Sequence, residues 1–222
     1  MTQLALALDH RPAMGEADFL VASSNRDAVL WLDRWPDWPG AGLAIHGPAG
    51  CGKSHLAQVW RRRSGARSIN ATTIASEEPA TLLSGCNGLA VEDADRGVDE
   101  RALLHLYNWT AEQGGHLLLT GRSPPARWGI ALPDLRSRLA AMPAVAVTQP
   151  DDALFSAVLI KHFSDRQLRV GDSVVHYINS HCERSFEAAG RIVAALDGAA
   201  LAEKRNITVP LARRVLAEIA AS

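Results

Sequence analysis

Neither sign of charge dominates this 222-residue chain: 23 lysines and arginines face 24 aspartates and glutamates, a net charge of −1. Such a balance gives no broad basic field for nucleic acid and no acidic tail for a basic partner. The run Arg61-Arg62-Arg63 is too short to change this and suits the C-terminal end of a helix. Cysteine is scarce. Cys51, Cys86 and Cys182 stand far apart, with no metal-ligand spacing and an odd count that fits a reducing compartment. The eight histidines form no H-E-x-x-H zinc motif and no Ser-His-Asp constellation. Leader and membrane span are excluded near the start, because Asp9, Arg11, Glu16 and Asp18 interrupt the first residues. No internal repeat is visible, and the six tryptophans lack the interleaved basic residues of a base-stacking groove, so they read as packing. What these absences leave is a soluble, cytoplasmic chain, long enough for one sizeable core or a main domain with a small second one.

Against that background one stretch stands out. Gly47-Pro48-Ala49-Gly50-Cys51-Gly52-Lys53-Ser54 is a full match to G-x-x-x-x-G-K-[ST], the phosphate-binding P-loop. Leu43 to Ile45 before it read as a short buried strand, and the residues from His55 to Trp60 as the opening of a helix. Small residues let the backbone curl so that successive N–H groups face an anion, and the helix N-terminus adds partial positive charge. Lys53 would reach the β- and γ-phosphates and the Ser54 hydroxyl would ligate Mg²⁺. Cys51 sits at a variable position and reads as packing.

The remaining pattern alternates strands and helices up to about residue 150. Helices are expected over Arg26 to Trp35 and Asp99 to Gln113, with a short one within Leu132 to Leu139. Leu89 to Asp95 reads as a strand whose C-terminal edge carries carboxylates, where open α/β sheets place ligands. This strand is expected to lie beside the phosphate-loop strand. Glu92 and Asp93 could divide the holding of Mg²⁺ and the orienting of water. Consecutive strand residues point to opposite faces, so both serve only if the chain bends there. His116 to Thr120 forms a further strand, whose Thr120 could bond a γ-phosphate or attacking water; Val145 to Val147 forms another. Beyond Pro150 four helices are expected, the last after Thr208 with Pro210 in its first turn. At the other end, Gln3-Leu4-Ala5-Leu6-Ala7-Leu8 is either an edge strand or an extended docking peptide.

Taken in order, these segments resemble the AAA+ ATPases, in the branch of the bacterial replication initiator DnaA, and within it the Hda family of small DnaA-like regulators. The resemblance rests on the phosphate loop followed by His55-Leu56, on the Walker B strand Leu89 to Asp95, and on Leu118 to Gly121 as sensor 1. Leu132-Pro133-Asp134-Leu135 with Ser137-Arg138-Leu139 is similar to Box VII, and Arg205 to Thr208 resembles the approach to the last lid helix. It implies an α/β AAA+ core with a parallel sheet flanked by helices over residues 16–150, and a small α-helical lid over 151–222. It also makes residues 1–15 a clamp-binding tail, with Gln3 as the polar contact and Leu4, Leu6 and Leu8 as anchors. Nucleotide, ADP or ATP with Mg²⁺, would be held by Gly47, Pro48, Ala49, Gly50, Cys51, Gly52, Lys53, Ser54, His55, Glu92 and Arg184. Ser54 and Glu92 would be the metal ligands, and Arg138, Asp93 and Thr120 the catalytic set, with Arg138 as an arginine finger acting in trans. The partners implied are DnaA, the β sliding clamp of DNA polymerase III, DNA only through that clamp, and a second copy in a homodimer. A cytoplasmic place at the nucleoid or replisome follows.

Three features qualify the resemblance. The chain ends at Ser222 just after the lid, without a helix-turn-helix domain, which favours the regulator over the full initiator. Its acid pair is Glu92-Asp93 rather than Asp-Glu or Asp-Asp, which points to slow turnover and a regulatory nucleotide. Arg184 is the sole arginine of Cys182 to Glu187, where the sensor 2 arginine is expected. Two rivals stand beside the regulator: a DnaA-like helper or loader that brings another replication protein to DNA, and a small-molecule phosphotransferase. The second would need an acceptor-binding set within residues 66–86, where only Arg67 and Glu77-Glu78 offer themselves.

Overall fold

The computed structural model describes residues 20–221 and divides them into two units, one spanning Asn25–Thr148 and the other residues 149–221 with 20–24. The segment Gln3, Leu4, Leu6 and Leu8 lies outside the described residues.

In the first unit five parallel strands, β1 (Gly42–His46), β2 (Arg67–Asn70), β3 (Gly88–Glu92), β4 (His116–Gly121) and β5 (Ala144–Ala146), form one sheet in the order β2-β3-β4-β1-β5. The central strands are near-continuous apolar runs because helices cover both faces: Leu43, Ile45, Leu89, Val91 and Leu117 to Leu119 are all fully buried. The sheet order corrects one expectation. The acid-tipped β3 does not neighbour β1; β4, ending in Thr120 and Gly121, lies between them. Sequence cannot reveal this, because a crossover helix lets a parallel strand skip a position.

Helix α1 (Arg26–Asp33) precedes β1, and α2 (Lys53–Ser64) follows the phosphate loop. α1 ends two residues before the expected Trp35, and Asn25 makes no side-chain capping bond to it. α2 stops at Gly65, whose φ of 69° is left-handed, after a last turn carrying Arg61, Arg62 and Arg63. The other face is covered by the 3-10 turn Ala71–Ser76, the short α3 (Pro79–Leu82) and α4 (Glu100–Glu112), capped by the Asp99 carboxylate on the Ala102 N–H. α5 (Pro133–Ala141) leads into β5.

Trp60 of α2, 1% exposed, anchors an aromatic cluster at the end of the sheet away from the phosphate loop. Trp38 stacks on it at 5.5 Å, Trp35 meets it edge-on at 6.4 Å, and His116 lies edge-on to both Trp35 and Trp38.

The second unit packs α6 (Asp152–Asp165), α7 (Asp172–His181), α8 (Phe186–Glu203) and α9 (Val209–Ala221) around Phe155, Leu159, Ile178, Val193 and Leu196, each fully buried. Asp151 and Ser185 cap α6 and α8 through the N–H groups of Leu154 and Ala188. Among the described residues no helix is long and apolar enough to cross a membrane.

Candidate nucleotide-binding site

The loop between β1 and α2 is shaped by close backbone approach. A Cβ on Gly47 would stand 2.0 Å from the Val147 carbonyl oxygen and 3.0 Å from the Cys51 sulfur, so no side chain fits. Gly50 and Gly52 take left-handed φ angles of 70° and 101°, the second as the residue that opens α2. No side chain caps that helix start, an end that suits an anion. Pro48 and Ala49 are exposed on the loop and Gly50 is half-buried.

Lys53 is buried, and its ammonium donates to the carbonyls of Gly47 at 2.8 Å and Pro48 at 2.7 Å. These bonds hold the ammonium against the loop it belongs to, on the first residues of the motif. Ser54 and His55, the next two residues, are exposed. Cys51 is 1% exposed, and burial raises its thiol above the usual cysteine range against the opposing pull of Lys53. It packs under the loop. His46, at the end of β1, is held below the ordinary histidine value by burial first, then by the charges of Arg127 and Lys53.

The acid segment divides its work. Gly88, Ala90 and Glu92 face the α2 side, where a Cβ on Gly88 would strike Trp60, while Leu89 and Val91 enter the core on the other face. Glu92 accepts a 2.9 Å hydrogen bond from the Ser68 hydroxyl on β2. Asp93 leaves the strand with a φ of 55°, so the bend that the two-acid reading required is present. Its N–H donates to the Thr120 hydroxyl at 3.2 Å, and the Ala94 N–H donates to the Thr120 carbonyl at 2.7 Å. Thr120, 1% exposed, thereby binds the acid turn to β4, and its hydroxyl keeps one proton to donate. Gly121 in turn accepts the Gly47 N–H at 3.1 Å, so Asp93, Thr120 and the phosphate loop are linked through β4.

Arg138 lies on α5, exposed, with its guanidinium 5.4 Å from the ring centre of Tyr107 on α4. No carboxylate among the described residues pairs with it. Arg184 belongs to the second unit, on the stretch between α7 and α8, and its Nε lies 2.7 Å from Asp152. The start of α8 that follows carries Glu187 in its first turn.

This architecture has counterparts among solved structures. Domain III of the replication initiation protein DnaA from Thermotoga maritima superposes with a TM-score of 0.77 over 90% of this chain and 94% of that one, at 14% identity. DnaA from Aquifex aeolicus, solved bound to AMPPCP, gives 0.70 over 85% of this chain and 66% of that one, at 15% identity. The RuvB Holliday junction branch migration motor of T. maritima gives 0.66 over 87% and 67%, at 15% identity. At such identities the likeness is one of fold. Residues 152–216, in addition, match the family model for the Hda lid domain. The chain has the AAA+ fold of DnaA domain III and carries an Hda-type lid.

Within this AAA+ unit, three polar residues stand out that sequence reasoning passed over. Asp95 accepts the Arg122 N–H at 2.7 Å through one oxygen, fastening the turn after β4, while its other oxygen is buried without a partner. Glu100 accepts the N–H groups of Ala131 at 2.9 Å and Leu132 at 2.7 Å, fixing the entry to the helix that carries Arg138. Ser68 holds Glu92. Each acts on a residue remote in sequence, so no local motif marks it; Asp95 alone, two residues past the acid pair, lay within view.

Proposed function

We propose that this chain is a regulatory AAA+ protein that holds ADP or ATP with Mg²⁺ and promotes hydrolysis of the ATP bound to DnaA, so preventing re-initiation of replication. The observation that carries the reading is Arg138: a guanidinium exposed on a short helix, without a carboxylate partner among the described residues, steadied by Tyr107 and able to meet an anion on another molecule. An arginine so presented can neutralise charge that builds up on a transferring phosphoryl group.

The loop fits a nucleotide. Its Cβ-excluding backbone, left-handed glycines and uncapped helix start form an anion cradle, and Lys53 already points its ammonium along the first residues of the loop. On binding, that ammonium would turn from two carbonyls to phosphate oxygens. The described residues hold no cluster of three metal-ligating side chains, which suits Mg²⁺, since it takes one or two protein ligands and draws the rest from phosphates and water. The exposed Ser54 hydroxyl and an acid of the Glu92-Asp93 pair would hold it, and the ion would offset the charge of the phosphates. Asp93 and Thr120 would orient water. Tethering to the sliding clamp of DNA polymerase III through Gln3, Leu4, Leu6 and Leu8 would bring the protein to DNA without a basic surface of its own.

The test follows ATP hydrolysis by DnaA with clamp-loaded DNA and this protein. Arg138→Ala and deletion of residues 3–8 should each abolish stimulation. Full stimulation by both variants overturns the mechanism, and stimulation that survives the deletion alone removes the tether. Clamp binding also separates this reading from a loader that serves a different protein.

A further inference from the structure

The acid at the tip of β3 is held by a neighbour in a direction that the strand itself does not dictate. β2 and β3 run parallel with Ser68 opposite Ala90 and Asn70 opposite Glu92. Residues in register on adjacent strands share a face, so Ser68, Ala90 and Glu92 all lie on the α2 side. For Glu92 to accept the Ser68 hydroxyl at 2.9 Å, its side chain must lean diagonally, sideways to β2 and back along the sheet by two residues, about 6.6 Å of strand. Both displacements lead away from the C-terminal edge of β1, because β4 and β1 lie on the opposite side of β3. The extra methylene of glutamate provides the reach that an aspartate in this position would lack.

We propose that Ser68 is a positioning residue that latches Glu92 away from the phosphates, and that this latch weakens the magnesium dependence of nucleotide binding by this chain, leaving the ion to Ser54 and Asp93. The inference rests on the nucleotide reading above. With Glu92 latched, the acid edge offers the ion Asp93 alone, and engaging Glu92 requires breaking a hydrogen bond to a charged acceptor. Such a bond is worth roughly a factor of ten or more in an equilibrium.

The experiment is a titration of ADP and of ATP, each with and without Mg²⁺, on the wild type, Ser68→Ala, Ser68→Thr and the double variant Ser68→Ala/Glu92→Gln, with thermal melting of each as a folding control. The wild type should gain less than about three-fold in affinity from Mg²⁺. Ser68→Ala should gain about ten-fold, Ser68→Thr should keep the weak dependence because it keeps the donor, and the double variant should lose the gain. A merely structural role for Ser68 would shift affinity equally with and without the ion and would ignore the residue at 92. An unchanged or weakened magnesium dependence in Ser68→Ala overturns the latch while leaving the nucleotide site intact. Failure of the folded wild type to take up either nucleotide overturns the site itself, and the latch with it.

Discussion

A single added methyl group at Gly47 tests how the phosphate loop is built. The substituted Cβ would lie 2.0 Å from the Val147 carbonyl oxygen, whereas carbon and oxygen in close contact stand about 3.3 Å apart. About 1.3 Å of movement is required, and Val147 cannot supply it, since its N–H donates to the His46 carbonyl at 2.7 Å and the residue is 1% exposed. The loop must move instead. Overpacking of this kind costs about 1–3 kcal/mol. For a unit of this size that lowers the melting midpoint by roughly 3–15 °C. Displacing the N–H groups by over an ångström should also weaken nucleotide binding by about 10²-fold. Gly65→Ala supplies the control: Gly65 is left-handed at φ 69° but has nothing within 4 Å of its Cβ position, so it costs about 1 kcal/mol of backbone strain and leaves nucleotide affinity as it was. Calorimetric titration with ADP and a melting curve read both quantities. Wild-type melting and wild-type affinity in Gly47→Ala would refute the close-approach argument.

Other expectations follow from the same geometry. Trp60→Ala should cost about 3–5 kcal/mol, read from urea unfolding, because it removes a buried ring that Trp38 and Trp35 both contact. Arg184→Ala should change lid stability by less than about 1 kcal/mol, since the pair with Asp152 is exposed on both sides. Burial, opposed by Arg184, pushes the Cys182 thiol up to about 11, so the pH–rate profile of its alkylation, followed by mass spectrometry, should inflect near that value; an inflection at 9 or below contradicts it. Burial also holds His116 below the ordinary histidine value. A histidine with a lowered folded-state value contributes stability that is present above its unfolded value and lost as pH falls below about 6.5, where the unfolded chain takes up the proton first. His116→Phe should flatten that part of the stability–pH curve.

Much of the fold was legible because its signals are local. The glycine pattern, the apolar runs Leu43 to Ile45 and Leu117 to Leu119, and the caps Asp99, Asp151 and Ser185 each declare an element within a few residues. Sheet order was not legible: nothing in β3 says that β4 will separate it from β1. The roles of Ser68, Glu100 and Tyr107 were hidden for the same reason, since each serves a residue between 24 and 32 positions away in the chain.

The acid pair shows where local signals meet their limit. Alternation along a strand forbids Glu92 and Asp93 from serving one site, and sequence alone offers no reason to expect relief. The structure breaks that alternation for Asp93, in two steps. Aspartate tolerates left-handed backbone better than most residues, and at φ 55° Asp93 breaks the alternation one residue past the strand. That conformation is strained for a residue with a side chain; two hydrogen bonds to Thr120 hold it, together with the Arg96 N–H on the Asp93 carbonyl at 3.0 Å. Replacing Thr120 with valine keeps the shape of the side chain and removes only the hydroxyl acceptor of the Asp93 N–H. It should therefore cost about 1–3 kcal/mol of stability by leaving that donor unpaired, and, under the proposed function, weaken stimulation of DnaA far less than Arg138→Ala does. If the Thr120 hydroxyl instead bonds the nucleotide directly, Thr120→Val will lower nucleotide affinity by more than its effect on melting accounts for, and the fastening role assigned to it here is the part that fails.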